Sequence, residues 1–106
     1  MEAAIALRTG LAEQDDAELL EELHTERPGD PWIANDLAFE LARTGASPTR
    51  ALDLAERAVE ALPESPHAAD TLGYVYLARG LDEAALRQFD AALELLGAAD
   101  AGLAAT

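Results

Sequence analysis

"DPWIANDLAFELARTG" (30–45) and "SPHAADTLGYVYLARG" (65–80) superimpose without a gap. Pro31 falls on Pro66, Leu37 on Leu72, Ala38 on Gly73, Leu41 on Tyr76 and Gly45 on Gly80, each 35 residues apart. In both stretches the apolar residues recur at three and four rather than at two, the period of a helix with one buried face. Each opens with a capping residue followed by proline, Asp30–Pro31 or Ser65–Pro66, and each closes with glycine shortly after an arginine. An Asp or Ser side chain can accept from a free amide at a helix start, and proline at the first helical position loses no hydrogen bond there. Glycine suits a helix stop, and arginine suits the negative end of the helix dipole. Each stretch is therefore predicted to be one helix of a repeated unit.

The match continues past the glycines. Ala51 pairs with Ala85, Ala55 with Phe89 and Ala58 with Ala92, now 34 apart, so one extra residue follows Gly45. Ser47–Pro48 gives a third capped start. The pattern predicts an all-α fold of antiparallel helical hairpins, about six helices in all, near 2–9, 14–26, 31–44, 48–61, 66–79 and 82–96, with no strand. Repeats are expected over 31–65 and 66–97, preceded by a degenerate unit over 1–30, and 1–97 is read as a single domain. Within the degenerate unit "DDAELLEELHTERPGD" (15–30) reads as a second helix with Leu20 and Leu23 facing inward and Pro28 closing it, while "EAAIALRTG" (2–10) is a short first helix. The alanine-rich tail over 98–106 is expected either to fray or to begin a capping helix.

Gly73 lies near the middle of its stretch, where glycine costs about 1 kcal/mol against alanine. A chain that keeps it there gains by having no side chain. Gly73 and its equivalent Ala38 are read as points of close helix approach, met from the opposing helices by Ala51, Ala58, Ala85 and Ala92. Leu37, Leu72, Tyr76 and Phe89 then fill the space between, as native packing density requires.

These positions resemble the tetratricopeptide repeat. That family's pattern runs leucine, a small residue, an aromatic, then alanine, aromatic and alanine, closing on proline. The second unit supplies Leu72, Gly73, Tyr76, Ala85, Phe89 and Ala92; the first supplies Leu37, Ala38, Leu41, Ala51, Ala55, Ala58 and Pro63. Ala34 and Ala69 stand where the family has tryptophan, and Gly97 stands where proline is usual. The resemblance implies a curved array of hairpins whose concave face is lined by the first helix of each repeat. On that analogy the groove is formed by Trp32, Asn35, Phe39, Ala42 and Arg43 with His67, Asp70, Tyr74, Leu77 and Ala78. It has an aromatic centre, and exposed aromatics anchor partner peptides or helices. Asn35 can both donate to and accept from an extended backbone. Phe39 and Tyr74 have an alternative reading as packing between neighbouring repeats. Family members that grip chaperone tails present lysine, arginine and asparagine as a carboxylate clamp. Here the matching positions carry Asn35, Phe39, Thr71, Trp32 and His67 and the chain has no lysine, which argues against that ligand.

Charge points the same way. The 106 residues carry 21 acidic and 7 basic side chains, a formal charge of −14. Such a field repels phosphate backbones, so no nucleic-acid partner is expected, and a basic or apolar protein segment is favoured. Acidic helix faces also simply keep a chain in solution. No apolar run approaches the roughly 18 residues that span a bilayer, and the first residues lack the pattern of a secretory signal, so no membrane partner is expected and the reading is cytoplasmic. A piece of a longer or exported protein would show the same features.

No catalytic constellation can be assembled. His24 and His67 fall in different hairpins, there is no cysteine, and Ser47 and Ser65 are read as caps. His24 has Glu21 three residues before it and Asp16 farther off, a weak basis for a metal site. No phosphate-binding loop is present, since Gly10, Gly29, Gly45 and Gly97 are all read at helix ends. No enzyme, metal or cofactor is therefore expected. The leading expectation is a protein-interaction module that holds a short partner segment in its groove. The alternative is a self-assembling scaffold or a spacer fragment of a longer array, with homo-oligomerisation through the uncapped C-terminal helix and its Leu86, Phe89, Leu93 and Leu96.

Overall fold

The structure, a computed structural model, describes residues 16–105, with side chains as far as residue 98. The described residues form five helices and no strand: α1 over 16–26, α2 Pro31–Thr44, α3 Pro48–Ala61, α4 Pro66–Ala78 and α5 Asp82–Ala105. The helix expected over 2–9 and the start of the one expected over 14–26 lie outside the described residues.

Local chemistry sets the boundaries. The Asp30 carboxylate accepts from the amides of Trp32 at 2.9 Å and Ile33 at 3.3 Å, and the Ser65 hydroxyl accepts from the Ala68 amide at 3.1 Å. Gly45 and Gly80, at φ 73° and 78°, take the left-handed conformation that turns the chain out of α2 and α4. The amide of Gly45 returns to the Leu41 carbonyl, and that of Leu81 to the Tyr76 carbonyl. Two residues separate Gly45 from α3 and one separates Gly80 from α5, so the extra residue sits where the 35-to-34 change of spacing put it.

Two local expectations are corrected. Ser47 precedes α3, but its hydroxyl makes no capping bond. Its backbone, at φ −156° and ψ 80°, lies outside the extended geometry that Asp30 and Ser65 share, and α3 starts on Pro48 alone. The second correction concerns Gly97. α5 does not stop near residue 96 but continues to Ala105. Gly97 has no positive φ, and the alanines that follow it are the strongest helix formers.

Short connections of three residues fold α2 back on α3 and α4 back on α5, and α4 lies against both α2 and α3. One apolar cluster runs through Ala34, Leu37, Ala38 and Leu41 of α2, Ala51, Leu54 and Ala55 of α3, and Leu72 and Val75 of α4. Leu20 of α1 packs against it. Glu21 also pairs with Arg50, tying α1 to α3. That hydrogen bond holds the Arg50 guanidinium above the usual arginine range, against the opposing effect of burial. The pair is exposed enough that its contribution is small, about 0–1 kcal/mol.

Small residues line the seams. Ala38, Ala51 and Ala58 are inaccessible to solvent, and Ala85, Ala92 and Gly73 are buried. A Cβ added at Gly73 would meet Phe89 Cε1 at 2.6 Å and Cδ1 at 2.8 Å. The ring of Phe89 therefore rests on the backbone of α4, and the helix-propensity cost of glycine is the condition for that approach.

Gly73→Ala is expected to lower the unfolding free energy by about 1–2 kcal/mol, because overpacking outweighs the roughly 1 kcal/mol gain in helix propensity. Gly73→Leu should cost more, and Phe89→Leu should restore part of the loss in the Gly73→Ala background. Urea denaturation of the three variants measures this. The caps give a paired test by thermal melting: Asp30→Ala should cost about 1 kcal/mol through two lost acceptor contacts, whereas Ser47→Ala should stay within about 0.5 kcal/mol of wild type.

Candidate functional site

Helical spacing places Trp32, Asp36, Phe39 and Arg43 along one side of α2. Beside it runs α1, whose Leu20 turns towards the core while Leu19 is 54% exposed. Between them lies a cleft of about 410 Å³ lined by Asp16, Leu19 and Leu20 of α1, Asp36, Phe39 and Glu40 of α2, and His67 of α4. Its floor is apolar, formed by the two leucines and the Phe39 ring. Three carboxylates, Asp16, Asp36 and Glu40, stand around that floor.

Phe39 belongs to two environments at once. Its ring packs on Tyr74 of α4, with centroids 4.9 Å apart and planes inclined at 31°, so the pair joins the two hairpins. Such contacts contribute about 0.5–1.5 kcal/mol beyond burial. The part of Phe39 left open faces the cleft. Tyr74 is half-buried beneath it.

The remaining expected groove residues separate. His67 lines the cleft, and it also lines a second one on the far side of α4 together with Asp70. Trp32 is half exposed in the first turn of α2, and Leu77 is half exposed on α4; neither lines the cleft. Arg43 is bound on its own helix by Glu40, Nη2 to Oε2 at 2.6 Å and Nε to Oε1 at 3.3 Å. Asn35 must be corrected. It is wholly buried, its Nδ2 reaches only Asp36 Oδ1 at 3.5 Å, and its Oδ1 has no partner, so it presents no surface to a bound backbone.

Sequence reasoning missed Asp16, Leu19, Leu20, Asp36 and Glu40. Asp16, Leu19 and Leu20 lie on the helix read as the second of the degenerate unit, and the resemblance lines its groove with first helices, so none of them is expected there. Glu40 could have been found as the ion-pair partner of Arg43 at i, i+3 spacing. Among the described residues no group of three or more His, Asp or Glu side chains is arranged to hold a metal ion, and no helix is long and apolar enough to cross a membrane. Glu21, considered with His24 as a metal pair, is taken by Arg50. No protein-family model matches the chain, and no curated protein matches it.

The unpartnered carbonyl oxygen of Asn35 is a buried polar atom without compensation, a deficit of about 1–3 kcal/mol. Asn35→Leu, similar in size, should therefore be at least as stable as wild type in urea denaturation; a loss above about 2 kcal/mol would mean that the amide is satisfied in solution.

Proposed function

We propose that the chain is a tetratricopeptide-like interaction module that holds a short partner segment carrying apolar and basic side chains. The observation that carries this reading is the cleft between α1 and α2, where Leu19 and Phe39 stay open to solvent within a ring of Asp16, Asp36 and Glu40. The apolar floor would take leucine-like or aromatic side chains of the partner. Asp16 and Asp36 would take its lysine or arginine ends, Glu40 being paired with Arg43, and the −14 charge of the whole chain would speed their encounter. The internal repeat and its resemblance to a family of peptide-binding arrays support the same use of the face. A cleft this small suits modest affinity and fast release.

The test is capture of partners from native extract on immobilised wild type, Leu19→Glu and Asp36→Lys proteins. Leu19 is exposed, so its change should not disturb the fold; Asp36→Lys also removes the acceptor of Asn35 Nδ2, so its melting temperature is compared with wild type before capture. A partner retained by wild type should be released by raised salt, as screening of exposed charges requires, and its recovery should fall at least about tenfold on both variants. Equal recovery on all three proteins would show that the cleft is not the site.

A further inference from the structure

The internal repeat allows one hairpin to report on the other. The first hairpin is covered on one side by α4, which lies against both α2 and α3. The corresponding side of the second hairpin is bare among the described helices, since α5 packs on α4 and on neither α2 nor α3. It forms an open cleft of about 550 Å³ whose wall includes Pro66, His67 and Asp70 of α4 and Phe89, Leu93 and Leu96 of α5.

Position by position the contrast is large. Asn35 is fully buried, whereas its equivalent Asp70 is exposed. Val59 packs against the core, whereas its equivalent Leu93 is 65% exposed. Leu62 is half-buried, whereas its equivalent Leu96 is 49% exposed. The second hairpin thus keeps large apolar residues at positions that are covered in the first. What covers them in the first is a helix with a stripe of Ala68, Leu72 and Val75, all buried.

Charge selects the occupant. Asp70 puts a carboxylate where the first hairpin has a neutral amide. The exposed side of α5 adds Asp82, Glu83, Asp90 and Glu94 against the single Arg87. A second copy, itself at −14, would bring like charge to this face. We propose that the outer face of α4 and α5 receives a cationic amphipathic helix of another protein, seated where the first helix of a third hairpin would lie. The leucines accept its apolar stripe, and Asp70, Asp90 and Glu94 pair with the lysines or arginines that flank it. This surface is separate from the cleft of α1 and α2 and does not rest on the reading of that cleft.

The probes are two synthetic peptides of about four helical turns with the same leucine and alanine stripe, one flanked by lysines and the other by glutamates. Each is titrated into the isotope-labelled full chain while amide resonances are followed. The lysine peptide should shift Asp70, Phe89, Leu93 and Leu96, whatever it does at Leu19 and Leu20, and bind this face at least about tenfold more tightly than the glutamate peptide. Leu93→Glu, an exposed change that should leave the melting temperature as it was, should weaken it at least about tenfold, and Asp70→Asn should weaken it about threefold. The proposal is overturned if the two peptides bind alike, if the lysine peptide does not bind, or if Leu93→Glu has no effect. Shifts confined to Leu19, Leu20 and Phe39 would also overturn it, while favouring the other cleft. Self-association that Leu93→Glu abolishes in sedimentation would assign the face to a second copy instead.

Discussion

The approach of α5 to α4 is limited by the ring of Phe89 lying on the backbone at Gly73, with no side chain between them. A methyl group there would stand 2.6 Å from a ring carbon, well inside any contact distance, so the spacing of the second hairpin depends on that missing atom. In the first hairpin Ala38, Ala51 and Ala58 line the corresponding seam with the smallest side chains, and all are inaccessible to solvent. Close seams leave the larger residues, Leu37, Leu54, Leu72 and Val75, to fill the space where α4 meets α2 and α3. A chain of this size has few such residues, and tight helix pairs let them build one continuous core.

Most of the fold is legible because it is written in local chemistry. A cap at Asp30 or Ser65 needs only its own side chain and the next few amides, and the glycines at 45 and 80 need only a positive φ. Repetition then places the hairpins, since equal spacing of equal signals implies equal units. Ser47 and Gly97 were misread because each matches a signal by residue type while its backbone does not. A serine caps only when its dihedral angles aim the hydroxyl at an amide, and a glycine stops a helix only when the chain turns left-handed there. Amid alanines at the end of α5 nothing required that turn.

The candidate surface was harder to read. Analogy with an array placed Asn35 on the groove, but burial depends on what packs over a residue, and the spacing of α2 does not record that. Phe39 and Tyr74 touch across the hairpins, so the packing reading of that pair has a physical basis alongside any role of the open edge of Phe39. Leu19 and Asp16 lie on the second helix of the degenerate unit, which the analogy does not place on the groove, and Asp36 and Glu40 lie on α2 at positions the analogy does not use. Both clefts combine exposed leucine or phenylalanine with carboxylates in their lining.

The most direct measurement of the central claim is the proton spectrum of Gly73 in the folded chain. With the Phe89 ring against its backbone, the Gly73 α-protons should show strong nuclear Overhauser effects to the ring protons and ring-current shifts away from ordinary helical glycine values. Gly73 α-protons at ordinary values, with no cross-peak to Phe89, would contradict the close approach on which the stacked hairpins depend.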